Sequence, residues 1–359
     1  MARIDSFLRL VSEQRASDLH FHSGGPPLIR HDGDLLALPF RSLSDAETRR
    51  FLFEILSAPQ REQFEKDQEL DFVYELQGSG RFRTNLFVQS QGVGAVFRIV
   101  PEELPTMDDL MLPPAIRKLT QLHNGLVLVT GPTGSGKTTT LAAMVNEINR
   151  TSQRHVITVE DPIEFVHKPI QSVITQRQVG VHAESFASAL RAALREAPDV
   201  MVVGEMRDLE TIQLALSATE TGVLVFGTLH TNSAAKAMDR IIDAIPEESR
   251  DQIRSVLSVL LRGVVCQQLC KRANGEGRVA VLEILLQNYG VANMIRENKL
   301  HQLDGYLQTA SNDGSGMQHL DHCIARLVRE ELVTLEEGLR VATYPDQLKK
   351  LLEAMPKDE

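Results

Sequence analysis

The feature that most limits what this chain can fold into is Gly131-Pro132-Thr133-Gly134-Ser135-Gly136-Lys137-Thr138. An apolar run, Leu126 to Val129, precedes it, and Leu141, Met144, Val145 and Ile148 recur at helical spacing after it. Buried strand, glycine-rich loop and helix in that order are the context of a phosphate-binding loop. The glycines let backbone N–H groups turn inward around phosphate oxygens. The helix N-terminus, opened by Thr139, adds a partial positive charge. Lys137 would reach the β and γ phosphates, and the Thr138 hydroxyl would ligate Mg²⁺. A glycine-rich turn matching by chance would not be expected to bring both flanks with it.

With 359 residues the chain is too long for one ordinary core, so two domains are expected. A net charge of −10 argues against general binding of nucleic acid. Of the three cysteines, Cys266 and Cys270 are spaced like one helical turn, with no second pair to complete a four-cysteine zinc site. Buried free thiols in a reducing compartment are the expectation. Met1–Val11 mixes Arg3, Asp5 and Arg9 with apolar residues, unlike a signal peptide. No apolar run reaches the ~18 residues of a membrane helix. A cytoplasmic protein is expected, without direct membrane insertion, docking on a membrane only through a partner.

Residues 1–100 read as a small α+β domain with an antiparallel sheet. Helices are expected over Ile4–Gln14, Asp45–Leu56 (Ser44 as N-cap) and Arg61–Glu65, and strands over Ser17–His22, Leu28–Arg30, Leu35–Leu38, Leu70–Glu75, Gly80–Gln89 and Gly94–Val100. Asp32-Gly33 favours a hairpin turn. Pro101, Pro105, Pro113 and Pro114 bracket a linker, 101–114. From 115 to 359 strands and helices first alternate, which implies a mainly parallel sheet with helices on both faces. After Ser233 the pattern is mostly helical, including a core-facing helix over Ser249–Leu261, with one further strand over Arg278–Leu286.

In open parallel sheets ligands bind at the carboxyl ends of the strands, and three motifs fall there. Glu160 and Glu164, in Thr158–Glu164, could hold Mg²⁺ through water or orient an attacking water, although Asp161-Pro162 is also an ordinary turn signal. Val200–Val203 leads into Gly204-Glu205, with glycine where a nucleotide motif usually has aspartate. Glu205 is the first choice for the group that polarises water and meets the metal through water, because phosphoryl transfer needs an oriented in-line nucleophile more than a strong base. His230, after Leu224–Thr228, could sense the γ phosphate, although a lone histidine is more often structural. In the small domain Arg81 and Arg83 share one strand face, with Arg98 on the next strand. Such a face could reach phosphates of a neighbouring subunit, or form only local salt bridges.

The four motifs, GPTGSGKTT, TVEDPIEFVH, VMVVGEMRD and GTLHTNSA, together resemble the Walker A, Asp box, Walker B and His box of the bacterial secretion ATPases that power type II secretion and type IV pili. Arg81–Phe87, Gly94–Pro101, Ala16–Pro27, Met294–Glu297 and Leu307–Gly314 are similar to the pilus retraction branch of that family. Met294 stands where its C-terminal signature usually has leucine, and the loop at Asn312–Gly316 looks longer than usual. The resemblance implies a PAS-like N-terminal α+β domain, and a RecA-like P-loop ATPase domain with a helical C-terminal extension. It also implies a homohexamer using ATP and Mg²⁺, with Glu205 as catalytic glutamate and His230, Glu160 and Glu164 beside it. Arg81, Arg83 or Arg98 would complete the site. The implied partners are an inner-membrane pilus platform protein and an accessory ATPase paralogue, and the implied outcome is pilus retraction and twitching motility. The absence of a four-cysteine insertion and of a long N-terminal extension would separate the chain from assembly and type II secretion enzymes. The accessory paralogue, an assembly or secretion motor, a nucleotide-sensing scaffold without turnover and a DNA-translocating motor are the competing readings.

Overall fold

The computed structural model describes residues 2–14, 16–31, 34–100, 103–311 and 313–354. The expected hairpin turn at Asp32-Gly33, Pro101 of the linker and Asn312 of the long loop lie outside these residues. Contacts divide the chain into two compact units, Met1–Glu103 and Leu104–Glu359.

The first unit carries helices α1 (Asp5–Glu13), α2 (Asp45–Phe53) and α3 (Ala58–Asp67). Its strands are β1 (Asp18–His22), β2 (Leu28–His31), β3 (Asp34–Ala37), β4 (Glu69–Leu76), β5 (Gly80–Gln89) and β6 (Gly92–Val100). They form one antiparallel sheet in the order β3-β2-β1-β6-β5-β4. Period-two alternation sets its faces: on β5, Phe82, Thr84 and Leu86 are buried while Arg83 is exposed. Leu8 and Val11 of α1 cover the buried face with Leu19, Phe21, Phe82 and Phe97. The Ser44 amide donates to Glu47 Oε2 at 3.0 Å at the start of α2, where the sequence places the cap.

In the second unit the strands are β7 (Gly125–Thr130), β8 (His155–Glu160), β9 (Val173–Gln178), β10 (Val200–Val203), β11 (Leu224–Leu229), β12 (Leu261–Lys271) and β13 (Arg278–Leu286). The sheet order is β13-β12-β7-β11-β10-β8-β9, parallel except for β13 against β12. Helices α4 (Pro114–Thr120), α5 (Lys137–Thr151), α6 (Phe186–Ala193), α7 (Leu209–Glu220), α8 (Ala234–Asp243) and α9 (Arg250–Leu260) accompany the strands. After β13 come α10 (Tyr289–Arg296), α11 (Leu303–Ala310), α12 (Leu320–Arg329), α13 (Leu335–Val341) and α14 (Pro345–Ala354). The continuous apolar run of β7 has a physical reason. Leu126 and Leu128 enter the core on one face of the sheet, and Val127 and Val129 enter the core on the other.

Three sequence expectations need correction here. Residues 261–271 form strand β12, not part of a helical region, and follow α9 with no turn between them. Cys266 and Cys270 therefore share a strand face; they do not stack on a helix, although both are buried and free as expected. Residues 173–178 form the edge strand β9, which the sequence reading left out. In α9 only Leu257 and Ser258 are buried, and Val259 is 58% exposed, so this helix is less core-facing than its spacing implies.

Candidate nucleotide site

The glycine-rich loop joins β7 to α5 on the topology that such loops need. Gly136 caps α5 in the left-handed region at φ 85°, and Gly131 has φ 146°. A Cβ at Gly131 would lie 2.2 Å from the backbone oxygen of Gln267, so only glycine lets the loop lie against β12. Lys137 is buried and donates from Nζ to Gly131 O at 2.8 Å and Pro132 O at 3.1 Å. Burial pushes its pKa down, while Glu205 and Glu164 act to raise it. Among the described residues Ser135 Oγ is buried without a hydrogen-bond partner. A buried cation spanning the loop and an orphaned hydroxyl in it fit a phosphate ligand. Pro132, Thr133 and Gly134 are exposed at the loop tip. Thr138, Thr139 and Glu164 line a cleft of about 570 Å³ that continues to Leu110, Arg272 and Arg278.

Because β7, β11, β10 and β8 are successive neighbours in the sheet, their carboxyl ends line up the loop, His230, Glu205 and Glu160 in that order. His230 Nε2 lies 2.9 Å from Glu205 Oε1. Arg207 forms an ion pair with the same oxygen. Partial burial works to raise the Glu205 pKa, but Arg207 and His230 outweigh it and hold the carboxyl below its usual value. Glu160 has the opposite environment. Burial pushes its pKa up, and hydrogen bonds from Thr158 Oγ1 (2.6 Å) and Gln176 Nε2 (3.0 Å) offset this only in part. The two carboxylates are thus shifted in opposite directions, Glu205 down by its charged neighbours and Glu160 up by burial.

Gly204 has a steric cause. Its amide donates to Val159 O at 2.8 Å, and a Cβ there would lie 2.9 Å from that oxygen and 3.2 Å from Glu160 Cα. An aspartate cannot occupy this point without moving β8. Thr138, Glu205, Glu160 and Glu164 offer hard oxygens, the donor type that Mg²⁺ takes.

On the first unit Arg83 sits directly opposite Arg98 in the β5–β6 ladder. Arg81 is two residues along the same face. Arg98 Nε is engaged by Asp18 Oδ1 at 2.8 Å, and Asp18 is buried. For Arg98 the local salt bridge is realised although its side chain is exposed, and Arg83 is exposed as well.

A second polar cluster lies away from the loop. Glu283, Asp304 and His319 bring ligand atoms within 4.8 Å of one another. The Asp321 amide donates to His319 Nδ1 at 3.2 Å, so Nε2 carries the proton, aimed at Asp304 Oδ1 3.2 Å away. A metal would need that nitrogen's lone pair. Tyr344 OH donates to Asp304 (3.0 Å), tying the segment before α14 to α11, and the Ala234 amide donates to Glu283 (2.8 Å), tying α8 to β13, so these carboxylates serve as hydrogen-bond acceptors.

The sequence pattern of the type II/IV secretion system proteins matches residues 3–340. The chain belongs to that family. Among curated relatives, the type IV pilus retraction ATPase PilT of Pseudomonas aeruginosa is 46% identical over 96% of this chain and 99% of its own length. A twitching motility protein of Neisseria gonorrhoeae is 48% identical, covering 90% of this chain and 86% of its own. PilU, a type IV pilus ATPase of Pseudomonas aeruginosa, is 36% identical over 97% of this chain and 91% of its own. Among solved structures, the pilus retraction motor PilT with bound ADP superposes with a TM-score of 0.90 at 42% identity, covering 98% of this chain and all of that one. As a secretion-family fold the chain is α/β with two sheets, as expected. Residue reasoning missed Gln267, Gln176 and Arg207. Gln267 and Gln176 lie on the two strands that went unrecognised, and Arg207 stands inside a motif read only for its carboxylate.

Proposed function

We propose that this chain is an ATP-hydrolysing motor that drives type IV pilus retraction and twitching motility, working as a homohexamer with Mg²⁺. The observation that carries this reading is the Glu205–His230 contact beside the Lys137 loop, in a chain 46% identical to a retraction ATPase over nearly its whole length. ATP is the substrate. Gly131, Gly134, Ser135 and Gly136 cradle its phosphates, and Lys137 leaves the Gly131 and Pro132 carbonyls to neutralise the β and γ oxygens. Thr138, with Glu205 through water, would hold Mg²⁺, which spreads the charge that develops on those oxygens. Glu205, kept ionised by Arg207 and His230, accepts a hydrogen bond from the attacking water and orients it in line. His230 positions that carboxylate, and Glu160 and Glu164 would hold Mg²⁺ through water or orient the attacking water. One or more of Arg81, Arg83 and Arg98 of a neighbouring subunit would complete the charge balance, Arg83 and Arg98 being the two exposed ones.

The partners under this reading are a platform protein of the inner membrane and an accessory paralogue resembling PilU. Among the described residues no helix is long and apolar enough to cross a membrane, which fits attachment at the cytoplasmic face through such a platform. The lower identity to PilU, 36% against 46%, favours the retraction motor over the accessory role. Deleting the gene and imaging pili tests the reading. Many pili without twitching support it, whereas bald cells would point to assembly and sink it.

A further inference from the structure

The sheet contributes a residue to the loop that the motif does not contain. Gln267, on β12, is buried. Its Nε2 donates to Ser135 O at 2.7 Å, and its Oε1 accepts from Thr140 Oγ1 at 2.7 Å. The orientation of the amide is forced. The Ser135 carbonyl can only accept, so the NH₂ must face it, and the Thr140 hydroxyl must then donate to the remaining oxygen. The loop also packs tightly on this residue: a Cβ on Gly136 would lie 2.8 Å from Gln267 Nε2, and one on Gly131 would lie 2.2 Å from its backbone oxygen.

From this we infer that Gln267 is a positioning residue for phosphate binding. The Ser135–Gly136 peptide is planar and trans, so its N–H points opposite to its C=O. Holding the Ser135 carbonyl on Gln267 therefore aims the Gly136 N–H away from β12, toward the phosphate side of the loop. Glycine follows this peptide with φ 85°, and glycine accepts either sign of φ. Without the tether the peptide is free to flip and present a carbonyl to phosphate. The tether also ties the loop to the β12–β13 ladder, whose end is held to the terminal helices by Lys271 N to Glu337 Oε1 (2.9 Å) and Ala273 N to Leu332 O (2.9 Å). The second anchor of the amide, Thr140, lies in the first turn of α5, so loop and helix are fixed against the same strand.

This inference rests on the nucleotide reading of the loop. The test compares the full-length wild type with Gln267→Met, which keeps the volume but neither hydrogen bond, and Thr140→Val, which spares the Ser135 contact. ADP binding by calorimetry and steady-state ATP hydrolysis are measured on all three. The Gly136 N–H serves ground and transition states alike, so its loss should raise KM and the ADP Kd about tenfold or more while kcat stays within about threefold. Thr140→Val, which removes the second anchor but keeps the Ser135 contact, should lower the melting temperature and raise KM and the ADP Kd by no more than about threefold, well short of the Gln267→Met rise. If Gln267→Met is not recovered folded, Gln267→Asn, whose amide is one methylene too short, should give the same rise. Unchanged KM and Kd in the folded Gln267 variant, or an equal rise in Thr140→Val, overturns the positioning role. A wild type that binds no ADP overturns the nucleotide reading itself.

Discussion

Gly204 allows a demanding test, because its neighbours are backbone and cannot swing aside. A Cβ at this position meets Val159 O at 2.9 Å and Glu160 Cα at 3.2 Å, with Phe186 Cε1 at 3.6 Å. Val159 belongs to β8, which is paired on both sides, by β10 and β9, so it cannot retreat without disturbing two ladders. Overpacking of this kind costs about 1–3 kcal/mol. For a unit of this size that is a fall in melting temperature of about 2–12 °C. Gly204→Ala should show it by calorimetry. Gly204→Asp, which restores the acid that nucleotide motifs usually carry, should be worse because its carboxylate would meet the Val159 carbonyl. Activity should also fall in both variants. Any shift at 204 carries Glu205 with it, and a misplacement of about 1 Å can cost about a hundredfold in rate. The reasoning is refuted if Gly204→Asp melts like the parent and hydrolyses ATP as fast or faster, for then the glycine would be incidental.

Glu205→Gln should lower kcat at least a hundredfold, at the lower end expected for a general base, while ADP binding persists; hydrolysis at the parental rate would remove Glu205 from its role. Arg207→Ala withdraws a group that lowers the Glu205 pKa and leaves burial to raise it. Because Glu205 must be ionised, the acid limb of kcat/KM should move to higher pH, and an unmoved limb would contradict the pairing. His167 is buried, its Nδ1 has no partner among the described residues, and burial pushes its pKa from 6.5 to about 4. The unfolded chain then binds the extra proton first, so stability should drop as pH falls from 6.5 toward 4, by at most about 3 kcal/mol. Urea titrations across that range should show a shallower slope in His167→Leu, and an identical slope would place the acid sensitivity elsewhere.

How much of this was legible beforehand depended on whether a residue's partners were local. The strand, loop and helix around Lys137 are contiguous, so spacing alone displayed them. The alternation on β5 put Arg81 and Arg83 on one face for the same reason. β12 was not legible. Its stretch Val264-Val265-Cys266 feeds both cores and shows no alternation, and it leaves α9 with no turn residue to mark the change. β9 is a polar edge strand, with Val173 63% exposed, and lacks the apolar signal that strands usually give.

The sequence by itself displayed the strand, glycine-rich loop and helix around Lys137, set Glu205 and His230 just after two successive apolar runs, and led to the expectation of two domains. Only the tertiary structure decided how those groups are tuned. The strand order puts His230 beside Glu205 and Gln176 beside Glu160, and the packing of β8 excludes a side chain at Gly204. Buried Gln267 reaches Ser135 across 132 positions of sequence. Proton affinities and steric exclusion depend on distances of a few ångströms between residues far apart in the chain. Sequence periodicity, which reports only near neighbours, carries no record of them.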